Sequence, residues 1–181
     1  MNASCLYSGQ AFQVANRYHK GQDRSWENQP YIVHLCRVAA TISELSVPDE
    51  IVAAAWLHDT LEDTKCTEAY LYMAFPKIIV DIVKEVTNPS ETPEHKQKSR
   101  SDRKFMNCQH IAKASRYGKI LKLADRLDNV RGLIHCPKGY AYKYAKETVQ
   151  LLDIAFPPII VDPIQPKLIE LIKDVISVYK D

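Results

Sequence analysis

The stretch 53-AAAWLHDTLEDT-64 closes an apolar run with one histidine and three carboxylates, His58, Asp59, Glu62 and Asp63. At about 100° of rotation per residue, these four fall within a helical arc of roughly 140°. The same arc carries Ile51, Val52 and Ala55 in the preceding turns, and Ala53, Ala54, Leu57 and Leu61 occupy the other side. A helix that is apolar all round is a buried helix. Carboxylates that continue its face inward are costly unless a cation compensates them. Read by itself, the segment also allows a plainer arrangement, in which the helix emerges at His58 and its acids line a solvated end.

Prolines and capping residues lay out the neighbouring elements. Ser8 suits the cap of a helix over residues 8–19, residues 21–30 read as a loop, and Pro30 suits the first turn of a helix ending near Leu45. Pro48 opens the helix that carries the quoted stretch, predicted over residues 48–62. Thr67 caps a helix ending near Phe75, and Pro76 opens K-I-I-V-D-I-V-K-E-V. The apolar–polar spacing of that last segment favours helix over strand despite its β-branched residues. Residues 88–98 form a polar loop, and helices are predicted over 99–115, 117–134 and, after Pro137-Lys138-Gly139, as far as Ile154. Residues 157–166 read as an extended connector and residues 168–179 as a terminal helix. The pattern is all-α, with one domain over residues 1–154 and a connector and C-terminal helix over 155–181 packed on it.

A chain of 181 residues is long enough for a sizeable core, and 46% hydrophobic with 25% charged residues is ordinary for a globular protein. A net charge of +2 is too small for chain-wide nucleic-acid binding, so any basic site must be local. The five cysteines, Cys5, Cys36, Cys66, Cys108 and Cys136, are scattered and contain no C-x-x-C. They fit reduced thiols in a cytoplasmic protein better than a disulfide frame or zinc knot. No apolar run approaches a membrane span, the N-terminus does not resemble a secretory signal, and a membrane partner is not expected. Only five glycines occur, with neither G-x-G-x-x-G nor a P-loop, which removes the common nucleotide cradles.

A metal at His58 and Asp59 needs ligands from other helices. His34 lies in Y-I-V-H-L-C-R-V-A-A-T-I at the edge of the face formed by Leu35, Val38, Ala39 and Ile42. Asp125 lies in K-I-L-K-L-A-D-R-L-D-N-V and shares a face with Lys122, Asp128 and Asn129. Singly, the first reads more readily as a satisfied core histidine, and the second just as easily as solvated surface.

Together, His34, His58-Asp59 and Asp125 have the spacing of the HD superfamily of metal-dependent phosphohydrolases. P-Y-I-V-H, H-D-T-L-E-D-T, E-V-T and K-L-A-D-R-L-D-N resemble the RelA/SpoT-type alarmone hydrolases, including the single-domain small hydrolases and metazoan SpoT homologues. The resemblance covers about residues 7–153. It implies an HD-domain helical bundle in which His34, His58, Asp59 and Asp125 hold a metal, and Glu62 and Asp63 activate water. Two imidazoles and two carboxylates suit Mn²⁺, with Zn²⁺ and Fe²⁺ as alternatives. The implied substrate is a small-molecule nucleotide, guanosine tetra- or pentaphosphate, which loses its 3′-pyrophosphate to give GDP or GTP. Arg24, Lys104, Lys122, Arg126 and Asn129 are the candidates for binding it, with Arg103 beside them. Leu35 stands where the family often has proline, and 23-DRSWENQ-29 departs from the family's basic loop. The synthetase half of the long enzymes has no room after residue 153, so degradative activity alone is expected. Two other readings stay open: the same machinery acting on NADPH or a nucleoside phosphate, and a non-catalytic nucleotide-binding regulator. Homo-oligomerisation is also left open.

Overall fold

In the computed structural model, residues 6–91, 94–157 and 162–179 are described. The chain divides into two compact units, Met1–Thr87 and Asn88–Asp181. Among the described residues the structure is helical apart from one two-stranded hairpin, in agreement with the all-α reading.

The N-terminal unit holds α1 (Leu6–Tyr18), β1 (Asp23–Arg24), β2 (Gln29–Pro30), α2 (Ile32–Ser43), α3 (Asp49–Leu57), α4 (Thr60–Asp63), α5 (Glu68–Ala74) and α6 (Lys77–Val86). Its centre is α3, which packs against α1, α2 and α6. The small side chains make that position available: Ala53, Ala54 and Ala55 are fully buried, so helices can approach α3 on several sides. Leu35, Val38 and Ile42 of α2 and Ile79, Val80 and Val83 of α6 supply the bulk around it. Phe12 meets Trp56 edge to face, with ring centroids 5.0 Å apart, joining α1 to α3. Pro76 leads into α6, whose β-branched residues bury one face and confirm the helical reading. Thr67 caps α5 by accepting a hydrogen bond from the Tyr70 amide.

Several boundaries differ from the sequence reading. The first helix already runs at Leu6, so Ser8 lies inside it. Residues 21–30 are not wholly loop: Asp23 pairs with Pro30 and Arg24 with Gln29 in an antiparallel register. Pro30 therefore ends a strand, and α2 starts two residues later. Gly21, at φ +81°, turns the chain into this hairpin, a conformation that an L side chain adopts only under strain. The helix opened by Pro48 stops at Leu57, and the chain turns through His58 and Asp59 before α4.

The C-terminal unit holds α7 (Arg100–Ala112), α8 (Arg116–Arg131), α9 (Lys138–Ala155) and α10 (Ile164–Ile176), with single 3₁₀ turns at Pro89–Glu91, Gly132–His135 and Ser177–Tyr179. α10 packs on α8, and α9 packs on both α7 and α8. Ser99 and Ser115 cap α7 and α8 by accepting from the Asp102 and Gly118 amides. The terminal helix begins at Ile164, earlier than predicted, because proline is tolerated in a first turn that lacks an amide partner anyway, and Pro166 sits there. Of the expected connector, residues 158–161 lie outside the described residues. Cys36, Cys66, Cys108 and Cys136 form no disulfide, and Cys5 lies outside the described residues. No helix among the described residues is long and apolar enough to cross a membrane.

Because Ala54 has no exposed surface within the helix that its neighbours crowd, Ala54→Leu should destabilise the protein by about 1–3 kcal/mol through overpacking. Met73→Ser, at a position 88% exposed, should leave the thermal midpoint nearly unchanged. Thermal denaturation followed by circular dichroism distinguishes the two.

Candidate metal centre

The break after α3 brings the first group of side chains together. Asp59 has φ −98° and ψ −2°, in the sparsely allowed bridge region, and its side chain turns back towards α2. The Asp63 amide donates to the Asp59 carbonyl at 2.9 Å, so α4 restarts directly from the turn. The Thr60 hydroxyl donates to the Leu57 carbonyl at 2.5 Å and takes up an acceptor that the ended helix leaves over.

His34, His58 and Asp59 each present one ligand atom, and these atoms lie within 4.8 Å of one another. Nε2 of His58 is 3.1 Å and Nε2 of His34 is 3.5 Å from the same Asp59 oxygen, Oδ2. Both histidines are buried. His58 Nδ1 is 2.8 Å from the Ala55 carbonyl. A carbonyl only accepts, so Nδ1 carries the proton and Nε2 keeps its lone pair for the cluster. A backbone carbonyl fixing the far nitrogen is the usual support of a metal-binding histidine. Two imidazole nitrogens and a carboxylate oxygen at these separations fit a divalent cation.

Residues beyond the predicted set complete the arrangement. Tyr31 stands three residues before His34 and donates through its hydroxyl to Asp59 Oδ2 at 2.7 Å or Asp63 Oδ2 at 3.0 Å. Burial, then the charges of Asp59 and Asp63, raise the Tyr31 phenol well above its ordinary value, so it remains a donor. His19 stacks on Tyr31 with ring centroids 4.9 Å apart, and its Nδ1 lies 2.7 Å from Gln22 Oε1. Burial depresses the His19 pKa, an effect that the Gln22 bond only partly offsets. Gln22 in turn donates to the Asp63 backbone carbonyl at 2.8 Å. The signal for Tyr31 was present in P-Y-I-V-H, because a residue at i−3 shares the histidine's helical face. His19 and Gln22 gave none, since they reach the cluster through the turn at Gly21.

Glu62 and Asp63 both lie on α4, one turn beyond the cluster, Glu62 half-buried and Asp63 partly solvent-facing. The Asp63 carboxyl is pushed up to about 6, by loss of hydration first and by the Asp59 charge second, while the Tyr31 hydroxyl works in the opposite direction.

The other predicted residues are divided between the units. Arg24 is in β1, ion-paired to Glu27 at 3.0 Å, and Glu27 also takes Arg37 at 2.5 Å. The shift of the Glu27 carboxyl below its usual value shows that these two guanidiniums outweigh its burial. Asp125, Lys122, Arg126 and Asn129 are on α8 in the C-terminal unit. Asp125 and Lys122 are buried and 2.9 Å apart, and the Asn129 amide donates to the other Asp125 oxygen. Periodicity allowed a solvated face here, and burial overrides it. Arg126 donates to the Thr148 hydroxyl at 3.3 Å and stacks over Tyr144 at 4.7 Å. Lys104 on α7 lies close enough to Arg126 and Lys122 to feel their charge.

The HD domain family matches residues 11–152. The chain is 35% identical over 145 residues to a Xenopus tropicalis protein named guanosine-3′,5′-bis(diphosphate) 3′-pyrophosphohydrolase MESH1, covering 78% of each. It is 32% identical over 176 residues to a Mycoplasma genitalium protein named a probable 3′-pyrophosphohydrolase of the same compound; that alignment covers 94% of this chain but 24% of the relative. The chain thus spans about a quarter of that longer relative. The solved structure described as a metazoan SpoT orthologue that hydrolyses ppGpp superposes with a TM-score of 0.72 at 26% identity, over 93% of this chain and 95% of that one.

Two outcomes follow from this geometry. Tyr31→Phe removes the hydroxyl that orients Asp59 and should weaken retention of a divalent metal by about tenfold, read as metal content after dialysis. Asp63 holds its proton up to about pH 6 when folded, against a usual value of 3.8, so its ionised form weakens the fold at higher pH and that cost fades as pH falls. In chelator-treated protein, Asp63→Asn should therefore raise the thermal midpoint at about pH 7.5, with the gain vanishing towards about pH 4. A gain independent of pH would show that charge is not its source.

Proposed function

The chain belongs to the HD domain family, and from that premise we propose that it is a metal-dependent 3′-pyrophosphohydrolase of guanosine tetra- and pentaphosphate, releasing GDP or GTP. The observation that carries this reading is the His34–His58–Asp59 cluster, with both histidines buried, followed within one turn by Glu62 and Asp63. Likeness to relatives named for that activity, one of them matched over 78% of its length, supports the substrate. The proposed location is the cytoplasm.

His34, His58 and Asp59 would hold the cation, with Asp125 as the fourth ligand. The motif K-L-A-D-R-L-D-N and the burial of the Asp125 carboxylate support that fourth assignment. Nitrogen and oxygen donors in this ratio favour Mn²⁺, with Zn²⁺ and Fe²⁺ as the alternatives a metal-reconstitution series separates. A divalent cation held there supplies Lewis acidity towards water and phosphoryl oxygen. Glu62 acts as general base and takes the proton from the attacking water, and Asp63 shares or orients that proton through the Tyr31 hydroxyl. Lys104, Lys122 and Arg126 neutralise the leaving pyrophosphate, and Asn129, tied to Asp125, bonds the nucleotide. Arg24 contributes from a pair already matched by Glu27, so phosphate binding there competes with an internal carboxylate.

The same machinery acting on NADPH or a nucleoside phosphate is the second reading, motivated by Ser25 and Trp26 in the loop where the family carries a further basic residue. Purified protein with Mn²⁺, assayed against ppGpp, pppGpp, NADPH and GMP with products resolved, should release pyrophosphate from the first two. Hydrolysis of NADPH or GMP alone selects the second reading, and no hydrolysis of any selects a nucleotide-binding regulator. Glu62→Gln should keep its metal and lose at least about 100-fold in turnover, whereas His58→Ala should lose both metal and activity. A Glu62→Gln protein with full turnover moves the base to Asp63 or to solvent.

A further inference from the structure

His19 follows directly on α1 and is buried, yet the proposed chemistry gives it no part. Gln22 fixes which of its nitrogens carries the proton. The Gln22 amide nitrogen donates to the Asp63 backbone carbonyl at 2.8 Å, so the amide oxygen is the atom that faces His19 Nδ1 at 2.7 Å. That oxygen only accepts, and Nδ1 is therefore the donor. Nε2 is buried and has no hydrogen-bond partner among the described residues. What the ring supplies is one donor and one flat face. A phenylalanine would supply the face and bury no nitrogen in need of a partner, so packing alone does not account for a histidine there.

The flat face lies on Tyr31, with the two ring planes 6° apart and the centroids at 4.9 Å. The His34 ring meets Tyr31 edge-on at 5.7 Å. Gln22 ties this group to further segments. Its backbone carbonyl accepts from the Tyr31 amide at 2.8 Å, and its own amide donates to the His19 carbonyl at 3.0 Å. One residue thus joins the end of α1, the entry of α2 and the end of α4. The Tyr31 hydroxyl lies 2.7 Å from Asp59 Oδ2 and 3.0 Å from Asp63 Oδ2, and contacts of that length fail on small displacements of either partner.

We propose that His19 and Gln22 are positioning residues. The hydrogen bond between them sets the plane on which the Tyr31 ring lies, and the Gln22 bond to α4 holds Asp63 in step with it. Together they keep the Tyr31 hydroxyl between Asp59 and Asp63, and through it the orientation of the Asp59 carboxylate. The proposal rests on the reading of His34, His58 and Asp59 as metal ligands, and it assigns neither residue to the metal or to the nucleotide.

The test is a double-mutant cycle on the Mn²⁺ dissociation constant of the full chain after chelator treatment, at a temperature where circular dichroism shows each variant folded. His19→Phe keeps the flat face and loses the donor. Gln22→Met keeps the length and loses both side-chain bonds; at a half-buried position, it tests the same link if His19→Phe does not fold. Each should weaken Mn²⁺ binding by about fivefold, the effect of one lost hydrogen bond. In the Tyr31→Phe background each should change it by less than about twofold, because the hydroxyl they position is gone. With ppGpp at saturating Mn²⁺, each should lower kcat by about fivefold and leave KM within about twofold. Equal losses of Mn²⁺ affinity in both backgrounds overturn the proposal by making the pair a general support of the fold. Unchanged affinity with Tyr31 in place overturns it too, as does a raised KM at unchanged kcat, which sets the pair against the nucleotide. An unsubstituted protein that binds no Mn²⁺ overturns the metal reading and this proposal with it. One that binds Mn²⁺ without hydrolysing ppGpp overturns the substrate alone, and the metal cycle still decides the role of His19 and Gln22.

Discussion

A carboxylate drawn out of bulk water needs partners that favour its charge, and the N-terminal unit is organised around one such group, Asp59. Two imidazole nitrogens and a phenol hydroxyl converge on a single oxygen of it. That convergence explains why the helix that begins at Asp49 does not run on as its composition allows. A continuous helix would carry Asp59 past α2, whereas the turn at residues 58–59 swings it back towards His34. The alanine run before the break serves the same end, since only small side chains let α1, α2 and α6 close on α3 tightly enough to fix the three ligands.

The hairpin at residues 23–30, short as it is, has a structural consequence for the cluster. By pairing Arg24 with Gln29 and sending the Tyr31 amide to the Gln22 carbonyl at 2.8 Å, it sets the entry of α2 and so the position of both Tyr31 and His34. Its own charges are internally balanced, with Glu27 between Arg24 and Arg37. In the C-terminal unit Lys122 pairs with Asp125, Arg100 pairs with Glu147, and Lys104 lies close enough to Arg126, Arg100 and Lys122 to feel their charge.

Much of this was legible in the residues. Helical periodicity, prolines at helix starts and serine or threonine caps locate the elements, because each reports a local preference that packing here reinforces. Thr67 and Pro76 act as read. Two misreadings share one cause: Pro30 and the uninterrupted helix over residues 48–62 follow local propensity, and the first is overruled by its strand pairing with Asp23, the second by the approach of Asp59 to His34. Propensity amounts to a few tenths of a kcal/mol per residue, and burial or a shared carboxylate outweighs it.

The sequence by itself determined the all-α class, the buried character of the alanine-rich helix and the family to which H-D-T-L-E-D-T and K-L-A-D-R-L-D-N belong, since these depend on spacing along the chain. Only the tertiary structure decided that His34 and His58 reach one oxygen of Asp59, that Tyr31 bridges Asp59 and Asp63, and that the polar face of α8 is buried. Those are facts of approach between segments, set by how closely helices pack, and a one-dimensional pattern carries no record of that distance.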